Sequence, residues 1–280
     1  MHVSRFAFLF LILTAVVSAS GQEAYTLRYK FAKGKTYRYA DTIVANTTQE
    51  MMGQEMKMMN AVYAVTRIVG EEAKKDGGAV LIFSMDTLRV SVKNVRMDST
   101  LVPTELNHKR SRLTIDARGE AKKRETIDSV KAGGMYGVGA GTLQQLFRFA
   151  LLAEKPVKVG EKWTAVRTDT TESMGGKGVS NATYEYTLAS QEKYLGRECL
   201  KLTYTGKMTI TSKGAMGGMD VFTEGNGTIA GTVYFDAKAG LAIAEDGKAD
   251  VEMTAAVTGQ QNMTIPITQS STQRHVLLPD

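Results

Sequence analysis

The sequence is poor in cysteine. Its 280 residues include one, Cys199. A lone cysteine forms no disulfide within the chain and supplies no cysteine-based metal site. We therefore expect Cys199 to be a buried core residue, and the fold to depend on packing alone.

Catalytic motifs are also scarce. Of three histidines, only His108 and His275 lie beyond the first 21 residues, and neither stands beside a serine or cysteine. Neither G-x-S-x-G nor H-E-x-x-H occurs, and the glycine run at 137–141 lacks the lysine and the βαβ setting of a phosphate-binding loop. We predict no catalytic residues, no metal, no cofactor and no enzymatic activity.

Long apolar runs are absent except near the start. The run at 6–17 follows Arg5, precedes small residues, and is shorter than the roughly twenty residues that span a bilayer. Residues 1–21 therefore read as a signal peptide, with cleavage after Ala19 or Gly21. We predict an exported protein of a bacterial periplasm or cell surface, without a membrane-spanning helix; one unpaired thiol suits that compartment.

The basic charge is dispersed. The formal net charge is +6, yet lysines and arginines alternate with acidic residues, and the only basic clusters are short, at 108–112 and 122–124. Such short runs are typical of solvated strand faces or turns. We predict no nucleic-acid partner.

Period-two alternation of apolar and polar residues is the dominant pattern, as at Tyr25, Leu27, Tyr29 and Phe31. Many such runs follow, separated by glycine turns such as Met52-Gly53. Crossover helices are missing, so antiparallel pairing is favoured. Pro266 in the last run predicts an edge strand.

One stretch reads as a helix. Thr142 and Gln145 form a capping-box pattern, and Pro156 ends the segment. Between them an apolar surface for helix packing or ligand contact repeats at helical spacing: Leu143, Leu146, Phe147, Ala150 and Leu151.

The order of turns and strands repeats on both sides of this segment, with Gly34-Lys35-Thr36-Tyr37 echoed by Gly160-Glu161-Lys162-Trp163. We predict a first β repeat at 22–132, a glycine-rich connector and central helix at 133–158, a second repeat at 159–245 and a C-terminal hairpin at 246–280. The fold class is mostly β (α+β): curved antiparallel sheets from two related halves, barrel-like or half-barrel, around one helix.

Methionines crowd the first hairpin: Met51, Met52, Met56, Met58 and Met59. Thioethers suit plain packing or an adaptable apolar surface, and they also ligate Cu(I). Histidine and cysteine partners are missing nearby, so packing or an apolar surface is favoured over copper.

Three segments carry a resemblance: GKTYRYADTIVANTTQEMMGQ at 34–54, PVKVGEKW at 156–163 and YFDAKAG at 234–240. They resemble uncharacterised exported β-rich proteins of Bacteroidota-like bacteria. The resemblance implies a compartment and a fold and carries no functional residues. An Asp-Ser/Thr pattern similar to the O-glycan acceptor signal of such exported proteins marks Thr42, Thr87, Ser99, Ser129 and Thr170.

Two functions fit these features. The first is a non-enzymatic carrier or binder of a lipid or another apolar or amphipathic ligand. The second is a structural or interaction module of the cell envelope that meets a protein partner. An enzyme would gain support if His108 or His275 met carboxylates in a deep polar pocket.

Overall fold

A computed structural model describes residues 23–51, 53–129, 148–173, 176–216, 218–259 and 262–279. Within these ranges the chain forms twelve β-strands and one short 3-10 turn at Thr104–Leu106. The strands are β1 (Thr36–Met51), β2 (Gln54–Ala73), β3 (Ala79–Asn94), β4 (Asp98–Leu101), β5 (Ser111–Ile115), β6 (Ala121–Thr126), β7 (Lys162–Ser173), β8 (Gly176–Tyr194), β9 (Arg197–Met216), β10 (Met219–Asp236), β11 (Leu241–Thr258) and β12 (Met263–Leu277).

All twelve strands belong to one antiparallel sheet. Its order is β6-β5-β3-β2-β1-β12-β11-β10-β9-β8-β7, with β4 beside β3. Strand β12 pairs with β1, so the first and last strands lie side by side in the middle of the sheet. Strands β6 and β7 form opposite edges that do not pair, yet residues beside both edges line one cleft. The sheet is therefore curved but not closed, and the prediction of a mostly β, antiparallel fold is confirmed.

Alternation along each strand divides the sheet into a concave and a convex face. On β11, Ala249 and Val251 point to the concave face and are at least half-buried, whereas Lys248 and Asp250 point outward and are exposed. The predicted hairpin tip is confirmed, because Met51 pairs with Gln54 and Gly53 has a φ of 72°. Glycine adopts such positive φ angles without steric cost.

The predicted central helix is wrong where the structure describes it. Leu143, Leu146 and Phe147 lie outside the described residues, and residues 148–154 form neither a helix nor a strand. Ala150 and Leu151 are 4% exposed and Leu152 is fully buried. We call residues 148–154 the strap, because they cross the core without forming a helix. A segment that is buried on all sides needs apolar residues in every direction, so it shows the same apolar spacing that predicts a helix.

Side chains from other segments donate hydrogen bonds to backbone carbonyls of residues 148–154, which in a helix would accept from the segment's own amides. The Trp163 indole donates to the Leu151 carbonyl at 2.9 Å, and Arg118 Nε donates to the Leu152 carbonyl at 2.9 Å. The Arg28 guanidinium donates to the carbonyls of Ala153 and Glu154. Buried backbone groups must be paired, and here tertiary partners replace the helical ladder.

A second correction concerns the first alternating run. Leu27, Tyr29 and Phe31 are buried as the alternation predicts, but they do not lie in the sheet. Apart from one isolated bridge between Tyr25 and Val157, this segment crosses the concave face beside the extended strap. Its aromatic rings pack there, with Tyr29 and Phe149 centroids 5.1 Å apart.

The prediction that the last strand is an edge strand is also wrong, since β12 lies between β1 and β11. Pairing with β1 ends at Gln49 and Ile267, whereas pairing with β11 continues through Pro266 and beyond. The missing proline amide is tolerated because β12 is a local edge from its first residue, Met263, to Pro266, where β1 no longer pairs with it.

Candidate functional site

The concave face has two contrasting ends. At the packed end, the extended segments around Leu27–Phe31 and Phe149–Ala153 cover the sheet and bury Phe83, Leu202 and Phe235. At the open end, beyond the polar row of Glu245, His275 and Asp41, the inward side chains are mostly half-buried. Many are apolar or small, including Ile43, Ala45, Val62, Met208, Ile210, Ile229, Ala249, Met253 and Ile267, and several are polar, including Thr47, Gln49, Asn60 and Gln269.

Between the two ends lies a cavity of about 270 Å³. The apolar residues of its lining include Ile43, Ala182, Met208, Ile210, Ile229, Ala249 and Val251. Its polar residues include Ser180, Gln269, Ser271 and Gln273, which lie beside these apolar residues on neighbouring strands, and the group Asp41, Arg148, Arg167, Asp169, Tyr204, Glu245 and His275, which we call the base. The lining is therefore amphipathic, and the base is its charged part.

Glycines on adjacent strands shape the base. The Tyr204 side chain lies across Gly231 and Gly247, and a Cβ added at either glycine would stand 2.4 Å or 2.7 Å from the Tyr204 hydroxyl. Because both glycines lack a side chain, the phenol reaches across two strands and donates to Glu245 Oε1 at 2.9 Å. Burial and the Glu245 charge raise the Tyr204 pKa, so the phenol stays protonated and serves as a donor.

A polar row crosses β11, β12 and β1, where Glu245 faces His275 and His275 faces Asp41 in register. The His275 Nδ1 atom contacts Asp41 Oδ1, and its ring stacks on Tyr39 with 4.2 Å between centroids. Thr66 Oγ1 donates to Asp41 Oδ2 at 2.7 Å. Polar groups this deep are tolerated because they satisfy one another.

Opposing effects set the pKa of His275. Burial disfavours the charged ring, but the charge and hydrogen bond of Asp41, together with the charge of Glu245, outweigh burial and raise the pKa above its ordinary value. The ring therefore carries a proton more readily than an isolated histidine near neutral pH. The base of the groove mixes donors, acceptors and a titratable cation.

Arginines supply the other side of the base. Arg167, on β7, donates to the Phe149 carbonyl, and its guanidinium lies 5.9 Å from the Tyr184 ring centroid. Arg148, at the start of the strap, pairs with Asp169 at 3.4 Å. Both arginines are thus held by the strap and by the edge strand that faces it.

The methionines of the first hairpin lie on both faces of the sheet. Met51, Met56 and Met58 point to the concave face, because their register partners Gln54, Gln49 and Thr47 do, whereas Met59 points to the convex face. Met52 lies outside the described residues. Among the residues that the structure describes, no group of three or more histidine, cysteine or acidic residues is placed to hold a metal.

The two histidines separate. His108 lies on a turn with a φ of 63°, and its side chain is 75% exposed at 3.8 Å from Asp86. His275 lies in the groove. Cys199 is buried as predicted, and burial raises its pKa to about 11, so it is an inert thiol.

The predicted glycan acceptors occupy different environments. Thr42, Ser129 and Thr170 are exposed, whereas Thr87 and Ser99 are half-buried. Their modification stays a prediction.

Sequence reasoning missed Asp41, Glu245, Tyr204 and the arginines. Asp41, for example, lies more than a hundred positions before Tyr204 and Glu245 in the sequence. The pairing of the strands brings these residues together. One usable signal exists on β11, where Glu245 shares the face of Ala249 and Val251. A charge on an otherwise apolar face predicts a functional or specially paired position.

The fold and groove define the class: an open, curved antiparallel sheet with an amphipathic concave face. Residues 120–242 match a family of unknown function, DUF6263, which confirms the prediction of an uncharacterised family. Comparison with curated proteins gives no match. Within the described residues, no helix is both long and apolar enough to cross a membrane.

Among solved structures, a lipovitellin chain from a study of its lipid–protein interactions is similar at 11% identity and a TM-score of 0.43, over 89% of this chain and 26% of that chain. Neisserial surface protein A is similar at 9% identity and a TM-score of 0.24, over 85% and 96% of the two chains. Pseudomonas aeruginosa OpdQ is similar at 7% identity and a TM-score of 0.27, over 88% and 100%. This chain thus spans about a quarter of the lipovitellin chain, and likeness at these scores says nothing about function.

Proposed function

We propose that the protein is a non-enzymatic binder or carrier of an amphipathic, lipid-like ligand, held in the groove on the concave face. One observation carries the proposal. Many inward side chains of the open end are apolar and only half-buried, with polar Thr47, Gln49, Asn60 and Gln269 among them, and no other described segment of the chain covers them. Apolar surface that is left open in this way favours the binding of another apolar group.

The polar base explains why an amphipathic ligand is favoured over a purely apolar one. Arg148, Arg167, Glu245 and His275 line the same cavity as Ile229 and Val251. Ligand pockets combine apolar walls with a few placed polar groups that fix orientation. A tail along the open end and a polar head at the base match this division.

Binding is also favoured over catalysis. His275 does meet carboxylates in a polar cavity, as the enzymatic alternative requires. Its contacts are the Asp41 carboxylate and the Tyr39 ring, and the described residues place no serine, threonine or cysteine in a hydrogen bond with it. A histidine that activates a nucleophile needs that group within reach. We propose that this row closes the base of the groove and orients the ligand.

The pattern of residues 1–21 predicts a signal peptide, and we therefore propose that the protein acts outside the cytoplasm. An exported carrier meets lipid-like ligands at a membrane surface or in the periplasm. The alternative role, an envelope module with a protein partner, would use the same apolar face for a protein segment.

Native mass spectrometry of the gently purified protein is the first test. A co-purified lipid-like molecule of defined mass is expected. Titration of delipidated protein with monooleoylglycerol should then change the fluorescence of Trp163, the single tryptophan, because it stacks on Tyr186 of the groove lining at 5.3 Å.

A groove-filling variant localises the binding. Ala249→Phe places a ring in the cavity and should weaken monooleoylglycerol binding by roughly tenfold or more. Ala256→Phe, on the convex face of the same strand, is the matched control and should bind as the natural chain does. An empty protein that gives no fluorescence change, or equal binding by both variants, would overturn the proposal.

A further inference from the structure

A second, smaller cavity adjoins the groove where the two edges of the sheet face each other. It has a volume of about 90 Å³ and lies between Leu113, Arg124 and their neighbours on one side and Val166–Asp169 of β7 on the other. Arg148, Phe149, Arg167 and Asp169 line both cavities. The small cavity is therefore an extension of the charged base.

Three guanidinium groups line this cleft: Arg124 from β6, Arg148 from the strap and Arg167 from β7. The carboxylates in the lining are Asp169 and Glu120. Asp169 is paired with Arg148 at 3.4 Å, and Glu120 accepts from Lys122 Nζ at 2.6 Å. Positive charge exceeds negative charge among the groups that line the cleft.

The arginines interact electrostatically. Burial lowers the pKa of Arg124, Asp169 opposes this effect, and the charges of Arg148 and Arg167 lower the pKa further. An arginine does not lose its proton under these conditions, so the part of the pKa shift that comes from Arg148 and Arg167 expresses repulsion among guanidinium groups that line one cleft. A bound anion would relieve this repulsion.

The geometry of the guanidinium donors indicates which kind of anion fits the cleft. A guanidinium presents a planar fork that matches the oxygens of phosphate or carboxylate. Arg148 also pairs with Asp169 and Arg167 also donates to the Phe149 carbonyl, so a ligand shares these two guanidinium groups with the protein. Donors that come from three chain segments suit an anion whose oxygens point in three directions better than a planar carboxylate. A phosphate monoester has three terminal oxygens and a charge near −2 at neutral pH.

We propose that this arginine cleft binds the phosphate head of an amphiphile whose tail lies along the open end of the groove. The inference rests on the proposed function, since the tail must occupy the groove. It assigns the ligand class as a lipid phosphate monoester, and it assigns Arg124, Arg148 and Arg167 as the residues that select it.

A pair of ligands with the same tail tests the head group alone. Oleoyl lysophosphatidic acid should bind roughly tenfold or more tightly than monooleoylglycerol, because charged hydrogen bonds are added. Arg124→Gln, which changes the small cavity alone, should remove most of this difference and leave monooleoylglycerol binding unchanged. Arg148→Gln should weaken the binding of oleoyl lysophosphatidic acid more than that of monooleoylglycerol, because Arg148 lines both cavities. Arg89→Gln, at an exposed position on the convex face of β3, is the matched control and should keep the difference.

The outcomes separate the two proposals. If both lipids bind equally, the arginine cleft is not a phosphate site, while the groove remains a lipid site. If neither binds, both proposals fail. If glycerol 3-phosphate or inorganic phosphate binds as tightly as the lipid phosphate, the cleft is an anion site for a free phosphate, and the lipid assignment is overturned.

Discussion

The two ends of the concave face are made from the same strands and the same alternation, yet only one of them is a core. At the packed end, Val233 and Leu202 are fully buried beneath the two extended segments. At the open end of the same strands, Ile229 and Met208 remain half-exposed. The difference lies in what covers the sheet.

This contrast separates the part of the sheet that stabilises the fold from the part where we propose that a ligand binds. Burial of large side chains stabilises the packed end, whereas the open end leaves apolar surface available to a ligand. The polar row of Glu245, His275 and Asp41 marks the boundary. A single sheet thus forms the core of the fold at one end and leaves an open face at the other, where we propose that a ligand binds.

The largest effect is expected from the strap. Leu152→Ala removes a fully buried side chain and should lower the free energy of unfolding by about 2–5 kcal/mol. Urea denaturation measures the change. Leu152→Met keeps the volume and should cost much less. A loss below about 1 kcal/mol would mean that the strap is not part of the core.

A smaller loss is expected at the base of the groove. Gly231→Ala places a Cβ 2.4 Å from the Tyr204 hydroxyl and 2.5 Å from the Asp246 carbonyl. It should cost about 1–3 kcal/mol and displace the ring from Glu245. In a Tyr204→Phe background the same substitution should cost less, because the closest atom is gone. Strict additivity in this double-mutant cycle would argue against the crossing geometry.

The boundary row should respond to pH. Because the folded-state pKa of His275 is raised, its imidazolium stabilises the fold fully below the unfolded pKa of about 6.5, and that contribution is lost as pH rises through the folded pKa. The stability advantage of the natural chain over His275→Gln should therefore be larger at about pH 5.5 than at about pH 9. A constant or increasing advantage would contradict the Asp41 contact.

The smallest effect is expected at the open end. Ile267 is half-exposed, so Ile267→Ala should cost about 1 kcal/mol or less without ligand. Bound monooleoylglycerol should enlarge this cost, because the side chain then gains a partner. If the cost without ligand equals that of Leu152→Ala, the open end is packed as tightly as the core, and the contrast between the two ends fails.

Much of the fold was readable from local pattern. Alternation at Tyr25–Phe31 predicted which residues are buried, and Met52-Gly53 predicted a hairpin tip, because the side-chain period of two and the positive φ of glycine are local properties. The helix failed at Ala150 and Leu151, since apolar residues at helical spacing also suit an extended strap buried on all sides.

The candidate site was not readable from local pattern. Asp41 and His275 are separated by 234 positions and meet only because β1 pairs with β12. The Tyr204 side chain reaches Glu245 across Gly231 and Gly247. The sequence around each glycine does not reveal which residues lie beside it in the sheet. Strand order and register set these contacts.

By itself, then, the sequence determined the β class, the alternation that gives each strand a buried and an exposed face, the lone inert cysteine and the pattern of an export signal. These depend on residue type and short-range spacing. Only the tertiary structure decided that the twelve strands form one unclosed sheet, that 148–154 cross it as a strap, and that charges from distant strands gather at the base of an open groove. Long-range pairing decides these features, because the free energy of a strand or strap depends on the partners that cover it.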